Sequence, residues 1–392
     1  MHVRDTLCKP RVTSVPGSPA ALPPAALPPT ALRGPARRGR GATHNPKNRF
    51  ETRHADPFDD GWDTLAAAAE NPPTLATELI RDASRSAISW NDSPDLGFDR
   101  AVNPYRGCEH GCVYCYARPS HAYLGYSPGL DFESKLVFKP DIVSLLEREL
   151  RKPGYVARPI TLGSNTDPYQ PIERQLKLTS GILELLERLA HPVAIVTKSA
   201  GVLRDLDRLR AMAARGLVRV HLSLTTLDPR LARVMEPRAA SPARRLAAIA
   251  ELSRAGIPTG VLAAPMIPGL NDAELERILA TAAAAGARHA GYVLLRLPRE
   301  LRELFGAWLA THVPDRARHV LSLIRETRAG ALNDAEFHRR FSGSGPYASL
   351  LAQRFNRALH KHGFTTARAS LNCTLFSPPP NAHQARQLAL DL

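Results

Sequence analysis

Apolar residues recur along the middle of the chain in five short, β-branched runs: residues 159–164 (PITLGS), 193–198 (VAIVTK), 218–225 (VRVHLSLT), 258–267 (PTGVLAAPMI) and 291–297 (GYVLLRL). Short runs that stay apolar at successive positions read as strands covered on both faces, as in a parallel sheet. Between them the spacing changes to three and four. Ile142, Leu145, Leu146 and Leu150 share one helical face, as do Leu183, Leu186 and Leu189; Leu203, Leu206, Leu209 and Met212; Leu246, Ile249 and Leu252; and Leu275, Ile278 and Leu279. Strands alternating with helices predict βαβ units, an α/β fold with a parallel sheet and helices outside it. A further short strand just before residue 103 brings the count to six units.

The flanks lack this regularity. Residues 1–43 are rich in Pro and Ala without helical or strand periodicity, the composition of a disordered basic arm, and no apolar core of a secretory signal precedes the prolines. Within it, 38–41 (RGRG) reads as a solvated charge run rather than a phosphate contact. Residues 44–98 form an N-terminal wrap, 99–314 the repeating βα body, 315–370 a helical extension and 371–392 a tail. In the extension Tyr347, Leu350, Leu351 and Phe355 fall near helical spacing and are expected to pack on the body. No segment approaches the ~18 uninterrupted apolar residues of a membrane span, so a cytoplasmic protein is expected. Over 392 residues the net charge is +15, mostly from arginine, which favours contact with polyanions, nucleic acid first.

Three of the five cysteines lie within eight residues, Cys108, Cys112 and Cys115, on a Gly-containing loop that makes a poor core strand. Such spacing suits a metal group. A 4Fe–4S cluster takes four cysteines, so three leave one iron with an open position. A Cys3His zinc site completed by His110 or His121 is the alternative, disfavoured because His110 lies between two ligands in sequence. Disulfides fit neither the spacing nor the compartment.

The strings NPYRGCEHGCVYCYARPSH (103–121) and GSNTDPYQPIE (163–173) resemble the radical S-adenosylmethionine (radical SAM) superfamily, in its bacterial branch related to spore photoproduct lyase and DNA repair photolyase-like proteins. The resemblance runs from about residue 37 to the C-terminus. It implies a partial, open (β/α)6 TIM-like barrel with additional C-terminal helices, its site at the C-terminal strand ends. It further implies a 4Fe–4S cluster on the three cysteines and S-adenosylmethionine chelating the open iron. Tyr114, in the aromatic position before the last cysteine, becomes an adenine neighbour. Ser164, Asn165, Thr166 and Asp167 stand where the amino group is held, Ser223 where the ribose lies, and Met266 and Ile267 beside the adenine, with Tyr292 or Leu295 more expected in the core. An arginine following the fourth strand would pair with the cofactor carboxylate; Arg238 is preferred to Arg245, which opens a periodic helix and is expected to face solvent. Asn271 and Asp272 are equally expected to cap the next helix.

The implied activity is reductive cleavage of S-adenosylmethionine to a 5′-deoxyadenosyl radical, driven by a flavodoxin or ferredoxin. Its substrate is unidentified, with a nucleic-acid component suggested by the family alone. The competing reading is a noncatalytic iron–sulfur protein that binds nucleic acid or senses redox state. Cys373 lacks any feature that would make it a hydrogen donor. The last six residues, QLALDL, resemble a sliding-clamp docking peptide through Gln387, Leu388, Leu390 and Leu392.

Overall fold

The computed structural model describes residues 37–51, 75–365 and 370–379. The expected disordered arm before residue 37 and the clamp-like peptide lie outside them. Ten strands are present among the described residues: β1 (Glu78–Arg81), β2 (Ile88–Trp90), β3 (Arg100–Val102), β4 (Tyr105–Arg106), β5 (Lys135–Phe138), β6 (Ile160–Leu162), β7 (Val193–Thr197), β8 (Val218–Ser223), β9 (Thr259–Met266) and β10 (His289–Leu294). Six of them, β3 and β6 to β10, run parallel in sequence order, and β2 adds an antiparallel edge beside β3. Among the described residues no strand pairs with the outer sides of β10 and β2, so the barrel is open. The α/β fold with a partial (β/α)6 barrel and extra C-terminal helices is therefore observed. A small second sheet, β1-β5-β4, was not foreseen.

The helices are α1 (Leu130–Ser134), α2 (Ile142–Leu150), α3 (Glu173–Leu176), α4 (Leu178–Arg188), α5 (Leu206–Ala214), α6 (Pro229–Met235), α7 (Pro242–Arg254), α8 (Leu275–Ala284), α9 (Leu301–His312), α10 (Pro314–Glu326) and α11 (Gly345–Lys361). The periodic positions of α2, α4, α5, α7 and α8 enter one core with the strands: Leu146, Leu186, Leu209, Leu252 and Leu279 meet Ile195, Val220, Leu222 and Val261, all fully buried. Each such side chain contributes roughly 1.5–3 kcal/mol of burial.

A second apolar cluster positions the site. Phe305, Trp308, Val320 and Ile324 of α9 and α10 pack on Cys112, Val113 and Tyr114 of the cysteine loop, together with Met235 and Ile267. Trp308 donates its indole N–H to the Val234 carbonyl at 3.0 Å, which pins α9 over the loop. These two helices form one unit, so the expected boundary at residue 314 falls between elements that pack together. On α11, Leu351 and Phe355 are buried, and Phe355 lies 4.7 Å from the Tyr292 ring. Leu350 instead faces outward, 53% exposed.

The charge run at 38–41 is only half solvated, Arg38 being exposed. Arg40 is buried and donates to the Glu133 carbonyl, while the Gly41 and Ala42 amides donate to the Glu133 carboxylate at 3.0 and 2.8 Å. A Cβ on Gly41 would stand 1.9 Å from the Gly111 carbonyl oxygen, so only glycine lets this strand of backbone lie on the cysteine loop. Residues 37–43 thus belong to the folded body.

Candidate active site

The cysteine loop leaves β4 and crosses the C-terminal ends of the parallel strands. Its turns need left-handed backbone at Gly107 and Gly111 (φ 81° and 68°), where a side chain at Gly111 would meet Glu133. The loop carries few backbone bonds of its own, so buried side chains hold it. Arg118, fully buried, donates Nε–H to the Cys112 carbonyl at 2.8 Å and spreads its remaining N–H groups over the carbonyls of Gly111, Pro128 and Gly129 and the Glu133 carboxylate. On the other flank the Gln170 amide oxygen accepts from Glu109 N–H at 2.8 Å, and Gln170 Nε2 donates to the Gly107 carbonyl at 3.3 Å. Glu109 accepts from Thr77 and from the Ile172 amide, both at 2.8 Å.

Cys108 and Cys112 are buried and Cys115 partly so. Burial, then the charges of Asp167 and Cys112, drives the Cys108 thiol well above its ordinary range; burial also raises Cys112, partly offset by Lys198. Burial thus favours the neutral form of both inner thiols, and a bound iron–sulfur group would supply the positive charge their thiolates need. Among the described residues no three His, Cys, Asp or Glu groups converge as around one metal ion. A cubane, which spreads its cysteines over separate irons, fits better than zinc. Of the two candidate zinc-completing histidines, His110 turns Nδ1 toward Asp167 at 3.3 Å, and His121 is boxed between Tyr126 and Phe132 with neither ring nitrogen hydrogen-bonded among the described residues, its pKa lowered to about 4 by burial.

The residues singled out in the sequence lie at or just past the C-terminal ends of β6, β8 and β9, and several are already committed. Asn103 joins the ends of β3 and β6, donating to Ser164 Oγ at 3.1 Å and accepting from Asn165 N–H at 3.1 Å. The Thr166 hydroxyl donates to the Tyr105 carbonyl at 2.9 Å. Asp167 accepts from the Thr197 hydroxyl and the Lys198 amide, each at 2.7 Å. Burial would raise its pKa, yet His110 and these donors pull it down to about 2. It braces the loop and is no free acceptor for an ammonium; Ser164 and Asn165 are the more open pair.

Ser223 and Thr225 end β8, and Met266 and Ile267 end β9, all buried with no exposed surface beyond Ser223's small share. The Tyr114 hydroxyl bonds to Thr225 and Glu236, and Thr225 donates to Glu236 at 2.6 Å. Glu236 in turn pairs with Arg245, which also donates to the carbonyls of Ser223 at 3.0 Å and Ala240 at 2.7 Å. The expectation that Arg245 faces solvent is overturned: it is 1% exposed. Arg238 pairs instead with Glu109 at 3.0 Å, on the outer flank of the loop. Asn271 accepts from the Ile267 amide and donates to the Thr225 carbonyl, both at 2.7 Å, so it ties β9 to β8 rather than capping a helix. Asp272 receives the Gly269 amide at 2.8 Å and the Tyr347 hydroxyl.

Two residues carried no sequence signal. Tyr116, beside Cys115, is 53% exposed and donates to the Ser164 carbonyl. Arg296, just past β10, has a buried Nε with no acceptor among the described residues; burial and then Arg340 lower its pKa. Cys373 lies away from all of these. Asn372 N–H donates to the Gly216 carbonyl at 2.9 Å, before β8 begins, at the opposite end of the strands from Ser223.

A family model for the radical SAM superfamily matches residues 102–282. An uncharacterized protein of Mycobacterium tuberculosis is 38% identical over 232 residues, 59% of this chain and 68% of that relative. Another, from Methanocaldococcus jannaschii, is 30% identical over 197 residues, 50% of this chain and 71% of its own length. Among solved structures, spore photoproduct lyase complexed with dinucleoside spore photoproduct matches with a TM-score of 0.52 at 17% identity, covering 73% of this chain and 80% of that one. A variant of that lyase with bound AdoMet and the same dinucleoside gives 0.50 at 17%, covering 73% and 82%. At such identity the likeness is one of fold. No helix among the described residues is long and apolar enough to cross a membrane.

Proposed function

Because the chain belongs to the radical SAM superfamily, we propose that it is an enzyme in which Cys108, Cys112 and Cys115 hold a 4Fe–4S cluster and S-adenosylmethionine is reductively cleaved beside them. When bound, these cofactors supply a one-electron reduction that yields a 5′-deoxyadenosyl radical able to abstract hydrogen from a substrate. The observation that carries the reading is that two buried thiols, Cys108 and Cys112, and the partly buried Cys115 lie on one loop beside a set of strand-end polar groups at the open face of the barrel.

The chain's own residues orient and exclude. Arg118 and Glu133 fix the loop carrying the thiols, and the Glu236–Arg245 pair fixes Tyr114 and Thr225. Ser164 and Asn165 offer hydrogen bonds to an amino group and Ser223 to a ribose, whereas Met266 and Ile267, fully buried in the core, can only back an adenine from behind the lining. The α9–α10 cluster keeps water from the inner side of the loop. The substrate we favour carries an anionic group, a nucleic-acid component being the choice that best suits the +15 charge. Arg296 supports it, since a half-buried guanidinium whose Nε lacks an acceptor is stabilised by an anion. The dinucleoside bound by the lyase of similar fold points the same way.

The test is anaerobic reconstitution, iron and sulfide analysis, and product analysis after chemical reduction. Wild type is expected to load a cluster and release 5′-deoxyadenosine from S-adenosylmethionine; Cys112→Ala is expected to lose both. Cluster and cleavage retained in the variant would overturn the ligand assignment. A fully loaded wild type that never cleaves the cofactor would favour the noncatalytic reading.

A further inference from the structure

Outside the barrel mouth, a cavity of about 540 Å³ opens on the flank of the cysteine loop. Its walls come from the segments following β6, β7 and β8, and four arginines line it, Arg174, Arg204, Arg238 and Arg244, against a single carboxylate, Glu173. That carboxylate is already neutralised: it is 1% exposed, paired with Arg204 at 2.9 Å and hydrogen-bonded by the Tyr105 hydroxyl. Arg238 is half-matched by Glu109. Arg174 and Arg244 are exposed, and neither guanidinium meets a hydrogen-bond or ion-pair partner among the described residues. The cavity therefore presents surplus positive charge with two free, mobile forks at its rim.

Its floor is the cysteine loop itself. His110 lines it, Gln170 touches the loop backbone on both sides of Cys108, and the Arg238 amide donates to the His110 carbonyl at 3.3 Å. His110, between Cys108 and Cys112 in sequence, is the loop residue that reaches the cavity.

We propose that this arginine-lined cavity is the docking site of a small acidic one-electron donor protein, through which the cluster is reduced. The inference rests on the reading of the chain as a cluster-bearing radical SAM enzyme. The step is a single electron transfer: the donor's flavin or iron–sulfur group is oxidised by one electron and the cluster on Cys108, Cys112 and Cys115 is reduced by one. Acidic side chains of the donor seat among Arg174, Arg238 and Arg244, and the barrel mouth stays open to substrate during reduction. Opposite charge raises the association rate chiefly at low ionic strength.

The experiment compares wild type with Arg174→Glu/Arg244→Glu, both reconstituted, since these two side chains make no contact whose loss would unfold the chain. Binding of flavodoxin is followed by calorimetry, and bleaching of the cluster absorbance is followed with reduced flavodoxin and with reduced methyl viologen, a small cation that needs no docking surface. The double variant is expected to bind flavodoxin at least about tenfold more weakly at low salt, to bleach correspondingly slowly with it, and to lose most of the salt dependence. Bleaching by viologen is expected to track wild type. Unchanged flavodoxin affinity and salt dependence would overturn the proposal, as would a variant that loses affinity for duplex DNA while its reduction by flavodoxin stays at the wild-type rate. If viologen bleaches the wild-type cluster without 5′-deoxyadenosine forming, the functional reading fails while the docking result still stands by itself.

Discussion

The barrel body and the rim that carries the cysteine loop are held together by different forces. In the body, Leu146, Leu186, Leu222 and Val261 sit among other apolar side chains, where burial is non-directional and any side chain of suitable volume serves. The rim has a short apolar backing from α9 and α10, but its shape is set by buried polar pairs: the ion pairs of Arg118 with Glu133 and Arg245 with Glu236, and the contact of His110 with Asp167. There each bond has a direction and each loss leaves a partner stranded. The body supplies stability, and the rim holds geometry at a stability cost.

The largest effect that would sharpen this contrast is expected at Arg118. Removing it in Arg118→Ala leaves Glu133 as a buried charge and frees four loop carbonyls, which should cost about 3–5 kcal/mol. Arg118→Lys keeps the charge but has one nitrogen in place of a planar fork, so it should recover little. Urea unfolding measures the first, and iron content after reconstitution measures the second. A lysine variant that loads iron like wild type would show that the loop needs only a positive charge beneath it, and the contrast would weaken.

Acid should next act through two kinds of group. Burial holds His191 and His221 in the body, and His121 beside the cysteine loop, at about 4 instead of their ordinary 6.5. The native chain then binds fewer protons than the unfolded chain between those values. Their contribution is complete above pH 6.5 and is lost as pH falls toward 4, on the order of 2–3 kcal/mol each. Asp167 on the rim behaves differently. Its pKa of about 2 lies below the ordinary 3.8, so its contribution is complete above pH 3.8 and is lost as the pH falls from there toward 2. Urea midpoints at pH 7 and pH 5 should therefore fall well before acid reaches the rim pair. A midpoint flat between pH 7 and pH 5 would contradict the histidine assignment.

This division also explains how much could be read from the chain. The strand runs at 193–198 and 218–225 became β7 and β8 almost residue for residue, because continuous apolar runs and helical spacing directly encode non-directional burial. The β1-β5-β4 sheet escaped because its strands have two to four residues and no period to detect. Arg118 and Glu133 pair across fifteen residues, which no local pattern announces. Arg245 could have been found. It stands four and seven residues before Ile249 and Leu252, on the buried stripe of α7, whereas Leu246, taken as the stripe's first member, is only partly buried. A charge on an apolar stripe signals a buried partner, here Glu236. Asp167 was legible as a site residue but not in its role, because its partners His110 and Lys198 come from separate loops.

The smallest effect is expected where the body is asked to tolerate change. Leu186, fully buried on α4, fills a space bounded by other apolar side chains, with no polar atom depending on it. Methionine has a similar volume and an unbranched, adaptable chain, so Leu186→Met should cost less than about 1.5 kcal/mol, whereas Leu186→Ala, which opens a cavity, should cost about 2–5 kcal/mol. Urea midpoints for the pair, set beside Arg118→Lys, compare two conservative exchanges at equally buried positions. If Leu186→Met proves as damaging as Arg118→Lys, then packing in the body is as directional as the ion pairs of the rim. If it is nearly silent while cluster loading is also unchanged, the body is tolerant packing, and the demand for exact side chains is confined to the end of the barrel where the cysteines sit.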